Sequence, residues 1–252
     1  MHISEFHYSV EEILKKEIEG NYPHQWDEDH ITRQILRQFR NQFHSINLFG
    51  FKHETKIAWE VYKLVGSLET NAGDIGLLVN VYLKNGTVVT GVAFIEAKKR
   101  KLNTVRFDEL RQKQLRRINR FSPSARLLLY DYEDITQFPL NQSHFIDPDE
   151  FRYYNLVFNN TYAVTLPMNL ALANFSNNTN LYHLSVPFSY QLIFRYFHGL
   201  DLDYSKKAID SITQFPSSQK LPRYLMTISV GIGTNIPEIV SNLFRDFYSI
   251  LE

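Results

Sequence analysis

Residues 73–99, GDIGLLVNVYLKNGTVVTGVAFIEAKK, decide the predicted fold. Two runs rich in Val, Ile and Leu, residues 75–83 and 88–95, lie on either side of Asn85-Gly86, a pair typical of the turn in a β-hairpin. Both runs are largely apolar on both of their alternating faces, which is typical of central strands covered on each side. The stretch therefore predicts a buried hairpin at the centre of a β-sheet.

Charged side chains stand at the ends of these two predicted strands. Asp74 comes directly before the first strand, while Glu96 and Lys98 lie near the end of the second. Burying a charge is costly unless it is paired or functional, so these positions need an explanation. A two-residue turn would set Asp74 opposite Ala97 and point the other two charges to the opposite face. A three-residue turn ending at a left-handed Gly86 sets Asp74 opposite Glu96, so that all three charges share one face, and we expect this turn.

Amphipathic patterns predict helices before and after the hairpin. Ser9 and an acid three residues later form a capping-box pattern that predicts the start of a first helix, which ends at Gly20. Apolar residues at four-residue spacing predict a longer second helix within residues 26–43. A third helix is expected over residues 107–121, and a buried strand is expected over residues 125–132.

Two polar residues, Glu28 and Gln114, fall on the apolar faces of these helices. Glu28, near the start of the second helix, is either a first-turn acid that complements the helix dipole or part of an active site. Gln114 lies in the middle of the apolar stripe of the third helix, where an amide needs hydrogen-bonding partners. It is either a satisfied core glutamine or a residue that orients a site, and we favour the second interpretation.

The composition limits the class of protein. A chain of 252 residues is long enough for one large domain, and we expect a core at residues 1–135 with an α+β part at residues 136–252 packed on it. The absence of cysteine excludes disulfides and thiolate sites and fits a reducing compartment. The amino terminus lacks an apolar signal core, and no stretch is long enough to span a bilayer. We therefore expect a cytoplasmic protein with no membrane partner.

The net charge is zero, but the charge is unevenly distributed. Residues 98–120 carry ten basic and two acidic side chains, while the sequence on both sides is acidic overall. A run of charge is most often a solvated helix face, but this one directly follows the Glu96 and Lys98 pair. That position favours contact with a polyanion.

Together these residues resemble the PD-(D/E)xK nuclease superfamily, which has the restriction-endonuclease-like fold. The resemblance covers residues 26–132 and consists of Asp74, a strand, a turn, a second strand with Glu96-x-Lys98, a basic helix and another strand. The spacing, the hairpin and the basic helix carry the resemblance, because the three charged residues alone co-occur by chance in many proteins. Gly73 stands where the family name has proline, which changes no side-chain chemistry at the site.

The resemblance implies an α/β fold with a mixed central β-sheet flanked by helices, to which an additional α+β carboxyl-terminal part is attached. It also implies Mg²⁺ as the cofactor, with Mn²⁺ as an alternative. Glu28 resembles a glutamate that several members carry on the preceding helix, and Glu69 is a weaker candidate for that role. The implied metal ligands are Asp74, Glu96, the backbone carbonyl of Ala97, and Glu28.

The same resemblance implies roles for individual side chains. Lys98 would hold or polarise the attacking water and offset phosphate charge, while Gln114 and Glu28 would orient water or a second metal. With Asp74 and Glu96, these residues make up the implied catalytic set. The residues expected to grip the sugar-phosphate backbone without reading sequence are Lys99, Arg100, Lys101, Arg111, Lys113, Arg116, Arg117 and Arg120.

We therefore expect a metal-dependent endonuclease that hydrolyses phosphodiester bonds in DNA, in restriction or anti-phage defence; the biological role is fold-level analogy. The expected partner is DNA, with RNA left open, together with a second copy of the chain or another defence protein. One alternative is a catalytically idle nucleic-acid-binding or complex-forming protein on the same fold. Another is a structural ion pair of Glu96 and Lys98, which is disfavoured because buried pairs are poor stabilisers.

Overall fold

The computed structural model describes residues 1–65, 73–108, 110–138, 160–214, 221–237, 244 and 247–251. Within them, nine strands form one mixed β-sheet with helices on both faces, which confirms the predicted α/β class. The strands are β1 (Ser45–Leu48), β2 (Thr55–Leu64), β3 (Ile75–Leu83), β4 (Val88–Lys99), β5 (Arg126–Ile135), β6 (Thr161–Pro167), β7 (Val186–Pro187), β8 (Tyr224–Ile232) and β9 (Tyr248–Ile250). The helices are α1 (Ile3–Asn21), α2 (Glu28–Phe43), α3 (Gln112–Phe121), α4 (Met168–Ala173), α5 (Phe188–Tyr190), which continues as helical turns to His198, and α6 (Lys206–Thr213).

The strand order places the predicted hairpin at the centre of the sheet. Across the sheet the order is β1, β2, β8, β3, β4, β5, β6 and β7, and β9 also pairs with β2. β8 runs parallel to β3 and β5 runs parallel to β4, while the other described pairs are antiparallel. Helices α1 and α2 and the segment from α5 pack on one face, and α3, α4 and α6 pack on the other. Away from its turn, the hairpin is thus buried on both faces, as its apolar pattern predicts.

The hairpin has the predicted three-residue turn. The Leu83 backbone N–H donates to the Thr87 carbonyl at 2.9 Å, and Gly86 has a φ of +81°. Ile75 lies opposite Ile95, so the same register continues to place Asp74 beside the end of β4. The turn therefore sets the register that brings the charged residues of the two strands together.

Strand β8 comes from the carboxyl-terminal half of the chain but lies in the middle of the sheet. It is inserted between β2 and β3, with Tyr224 beside Ile75. The single sheet therefore draws strands from both sides of the boundary predicted at residue 135. Because β8 and β3 are parallel, the residues before both strands lie at the same edge of the sheet.

The first helix begins earlier than its sequence signal suggested. It starts at Ile3, and His2 caps it: the His2 side chain accepts from the Ser4 N–H, and the His2 N–H donates to Glu5. The predicted start at Ser9 was wrong, because the Ser9 hydroxyl donates to the Glu5 carbonyl one turn back inside the helix. The helix does begin with a capping box, but His2 and Glu5 form it, and histidine is an unusual cap residue.

The third helix also differs from its prediction. It begins at Gln112, and residues 107–110 precede it without being helical where the structure describes them. Phe107 and Leu110 are nevertheless buried, so the apolar stripe correctly indicated burial but not the helix start. Glu69, the weaker glutamate candidate, lies outside the described residues.

Candidate active site

Asp74 is held at the edge of the sheet where β3 begins and β4 ends. Its N–H donates to the Ile95 carbonyl at 2.9 Å, and its carbonyl accepts from the Tyr224 N–H at 2.9 Å. The Asp74 carboxylate accepts a hydrogen bond from the Ala97 N–H through Oδ2, also at 2.9 Å. Backbone contacts from two neighbouring strands thus fix both the main chain and the side chain of Asp74.

Lys98 joins carboxylates from a strand and from a helix. Its Nζ lies 2.7 Å from Glu96 Oε1 and 3.1 Å from Glu28 Oε1. Glu28 is the first residue of α2, whose start is capped by Asp27 accepting from the His30 N–H. The structure therefore places the Glu28 side chain at the site, in addition to its first-turn position in the helix. We call Glu28, Asp74, Glu96 and Lys98 the cleft cluster.

Gln114 reaches the same cluster from α3. Its Nε2 donates to Glu96 Oε1 at 2.5 Å, so the amide has the partner that its position on the helix required. Lys98 and Gln114 both contact Oε1, which leaves Glu96 Oε2 without a hydrogen-bond donor from any described residue. Asp74 Oδ1 likewise accepts from no described residue. These two oxygens are the atoms on which a cation could bind.

The charges of the cleft cluster do not balance. Burial raises the pKa of Glu28 and of Asp74, and burial together with repulsion from Asp74 raises the pKa of Glu96. Burial disfavours the charged form of Lys98, but the adjoining carboxylates outweigh it and raise the pKa of its ammonium group. The raised pKa values mean that the three carboxyl groups hold protons to a higher pH than usual while no cation is bound, and a divalent cation would take the place of those protons.

The cleft cluster lies in a cavity of about 1070 Å³ that opens beside α3. All five predicted catalytic side chains line this cavity. Five of the eight predicted backbone-gripping residues line it as well, and they come from the basic helix and the residue before it. These residues are Arg111, Lys113, Arg116, Arg117 and Arg120.

The other three predicted backbone-gripping residues do not line the cavity; they are paired with acids elsewhere. Lys99 and Lys101 both bind the Asp108 carboxylate, at 2.9 and 3.3 Å. The Arg100 guanidinium contacts Asp131 at 3.1 Å. These ion pairs tie the end of β4 to the segments around it, which is a structural use of the positive charge.

Arg223 is a cavity residue that the sequence did not reveal. It comes directly before β8 and lines the cavity beside the cleft cluster. Its Nη1 donates to Asp29 Oδ1 at 2.8 Å, and the Tyr224 hydroxyl donates to the same oxygen at 2.8 Å. One arginine before a buried strand carries no signal by itself; only the pairing of β8 with β3 places it next to Asp74.

The donor set fits a hydrated divalent cation but not a site made of protein ligands alone. Across the described part of the chain, no three His, Asp or Glu side chains form a group that could hold a metal ion. Mg²⁺ commonly binds through one or two carboxylates and completes its shell with waters and substrate phosphate. Asp74 and Glu96, each with one donor-free oxygen, meet that requirement. All four predicted metal ligands stay predictions: Asp74, Glu96, the Ala97 carbonyl and the Glu28 carboxylate.

The chain matches no protein-family model, and neither a curated protein nor a solved structure matches it. The resemblance to the PD-(D/E)xK superfamily therefore rests on the residue pattern and the geometry described above. None of the helices in the described residues combines the length and the apolar character needed to cross a membrane.

Proposed function

We propose that the protein is a metal-dependent endonuclease that hydrolyses phosphodiester bonds in DNA and acts in restriction or anti-phage defence. One observation carries the proposal: Asp74, Glu96 and Lys98, together with Glu28 and Gln114, line one cavity that is also lined by basic side chains of α3. The reaction needs ligands for a cation, a group that acts on water, and positive charge for phosphate. The described cavity contains side chains suited to all three tasks.

The cleft cluster supports a division of labour. Asp74 and Glu96 would hold Mg²⁺ or Mn²⁺, which when bound supplies charge for the phosphate and lowers the pKa of a water. Lys98 is fixed by Glu96 and Glu28, so its ammonium can hold the attacking water or offset charge on the phosphate without first being ordered. Gln114 keeps the Glu96 carboxylate in one orientation.

The cationic side chains around the cavity suit a nucleic-acid backbone. Arg116 and Arg120 are exposed on α3, and Arg223 reaches the cavity from its position directly before β8. Guanidinium groups pair with phosphate oxygens in any sequence context, so these residues position the polymer rather than select a sequence. DNA is the expected polymer, and the experiment described below also tests RNA as a substrate.

The alternative is a catalytically idle protein that binds nucleic acid, or assembles with a partner, through the same cavity. The contacts of Lys98 to both Glu96 and Glu28 favour it, because a satisfied ion-paired lysine can serve structure alone. Against it stands Asp74, whose carboxylate lines the cavity with one oxygen that accepts from no described residue, an arrangement that a purely structural network would not need.

The test is an incubation of the purified protein with supercoiled plasmid, with double- and single-stranded oligonucleotides, and with RNA. Each substrate is tested with Mg²⁺, with Mn²⁺ and with EDTA, and cut position and strand are recorded. We expect cleavage of DNA that EDTA abolishes and that Glu96→Gln, which keeps the shape of the side chain, lowers by orders of magnitude. Binding of DNA without cleavage under either metal would establish the idle alternative. Metal-independent cleavage, or full activity of Glu96→Gln, would contradict the assignment of this site.

A further inference from the structure

A second basic cavity lies at the opposite edge of the sheet from the cleft cluster. It has a volume of about 540 Å³ and is lined by the connection between β1 and β2, the turn of the hairpin and the segment after β8. These segments meet because Ile232, at the end of β8, pairs with both Thr55 and Leu83. The nine residues of β3 separate the two cavities by roughly 30 Å, at about 3.3 Å for each residue.

Three lysines line this second cavity: one from the connection between β1 and β2, one from β2 itself and one from the hairpin turn. They are Lys52, Lys56 and Lys84. Lys56 is half-buried on β2, and Lys84 lies at the hairpin turn with its Cε 3.4 Å from the place that a Cβ on Gly233 would take. Gly233 is left-handed, with a φ of +61°, and its N–H is held by the Glu54 carbonyl at 2.8 Å. The backbone therefore lets the Lys84 stem lie close along the cavity wall.

The positive charge in this cavity is not neutralised within the described part of the chain. None of the three lysines forms an ion pair or a side-chain hydrogen bond there, whereas Lys98, Lys99 and Lys101 are all paired. Glu54 is the one acid among the lining residues, and it makes no ion pair with them. Three unpaired cationic side chains that line one cavity favour the binding of an anion there.

We propose that this second cavity binds a ligand that carries two or more phosphate groups. Three ammonium groups against one carboxylate match a multiply charged anion better than a single carboxylate ligand, and lysine binds phosphate well as a compact charge. Asn47, His53 and Asn235 add hydrogen-bonding groups to the lining. The ligand is a free polyphosphate, such as a nucleotide, or consecutive phosphates of a nucleic-acid backbone.

The site stands apart from the proposed nuclease function. It shares no lining residue with the first cavity, so a ligand here would bind whether or not the cleft cluster cleaves DNA. Binding is therefore measured in EDTA, where a metal-dependent nuclease does not turn over. Failure of this proposal and failure of the nuclease proposal are then seen in different experiments.

The experiment is isothermal titration of the full chain with inorganic tripolyphosphate, with ATP and with a single-stranded oligonucleotide, each at fixed ionic strength. Lys56→Gln/Lys84→Gln removes two charges from the cavity. Lys15→Gln/Lys16→Gln removes the same net charge from exposed positions on α1 and serves as the matched control. We expect the cavity variant to bind at least one of these ligands about tenfold more weakly than the control variant does.

The pattern of loss identifies the source of the phosphates. Weaker binding of tripolyphosphate or ATP, with unchanged oligonucleotide affinity, assigns the site to a free polyphosphate. Weaker binding of the oligonucleotide alone assigns it to a nucleic-acid backbone. Equal affinities of the two double variants for all three ligands would overturn the proposal. Should Lys56→Gln lower the melting temperature, Lys52→Gln/Lys84→Gln at two exposed positions repeats the comparison on a folded protein.

Discussion

Two groups of polar side chains lie beside the same sheet, and they differ in how their charge is satisfied. The cleft cluster has one ammonium group among three carboxylates and lines a cavity. The second group, which we call the interior cluster, consists of His7 and Glu11 on α1, Thr161 on β6 and Ser189 on α5. Its single carboxylate accepts from two hydroxyl groups, and none of its members lines a described cavity.

We interpret the interior cluster as structural and the cleft cluster as the proposed functional site. Glu11 accepts from Thr161 at 2.8 Å and from Ser189, and Ser189 also lies 2.9 Å from His7 Nε2. His7 and Ser189 are fully buried, so no substrate can reach this serine and histidine. A closed network in which hydroxyls satisfy one acid stabilises the packing of α1 on the sheet. The cleft cluster instead lines a cavity, where its charged groups can be reached by a ligand.

Among the variants that compare these two groups, Lys98→Met should have the largest effect; it keeps most of the length of the side chain and removes its charge. We expect cleavage to fall by about 10²–10³-fold, because a fixed charge near the phosphate is lost. Binding of Mn²⁺, measured by calorimetry, should persist, because lysine is not a metal ligand.

Lys99→Met is the matched control for that variant. Lys99 is the next residue on the same strand, but it pairs with Asp108 outside the cavity. The Lys99→Met variant should cleave DNA at close to the wild-type rate. Full activity of Lys98→Met would remove Lys98 from the mechanism. If the wild type does not cleave DNA, and Lys98→Met lowers the free energy of unfolding by about 3–5 kcal/mol, then Lys98 belongs to a structural ion pair instead.

The pH dependence of stability should show that the interior cluster is structural. Burial raises the pKa of Glu11 from 4.5 to about 7 in the folded protein. The folded state then holds a proton that the unfolded state has lost, so the contribution of Glu11 is complete below pH 4.5 and disappears as the pH rises through 7. The loss should amount to roughly 3 kcal/mol of unfolding free energy.

Glu11→Gln isolates this contribution in urea unfolding across that pH range. Burial also lowers the pKa of His7, to about 3, but His7 is present in both proteins and its effect cancels in the difference. The stability of wild type relative to Glu11→Gln should fall with rising pH, while cleavage by Glu11→Gln should stay unchanged. A difference that is constant with pH would mean that Glu11 is ionised in the folded protein throughout.

The smallest expected effect concerns the basic residues within 98–120, some of which line the cavity while others are paired with acids. Arg116 lines the cavity and has no ion pair in the described part of the chain, whereas Lys101 pairs with Asp108. Arg116→Ala should weaken DNA binding about equally across sequences and lower the slope of log K against log salt by roughly one. Lys101→Ala should change that slope less. Equal slopes for the two variants would place the backbone path elsewhere.

Local sequence was enough to predict the centre of the site. The hairpin between Asp74 and Glu96 depends on a turn of three residues, and Gly86 marks that turn in the sequence. Alternation along a strand then determines the face on which Lys98 lies. Contacts within one hairpin can therefore be predicted from the sequence pattern and the strand register.

Pairings between segments that are far apart along the chain could not be predicted in this way. Arg223 reaches the cavity because β8 is inserted between β2 and β3, more than a hundred residues away along the chain. Lys99 and Arg100 look like free charges in the sequence, and only folding reveals Asp108 and Asp131 beside them. Non-local strand order and ion pairing depend on tertiary packing, which the charge pattern of one segment does not encode.

The central claim is that the cleft cluster is a metal-dependent hydrolytic site, and Asp74→Asn tests it most directly. Asparagine can still accept from the Ala97 N–H, so the fold is preserved while a ligand charge is removed. The measurement is single-turnover cleavage of labelled DNA with Mg²⁺, with rates normalised to the folded fraction of each protein. We predict rapid cleavage by the wild type and no cleavage in EDTA. The rate for Asp74→Asn should be at least about 10³-fold lower than that of the wild type. Cleavage by Asp74→Asn at the wild-type rate would contradict the account.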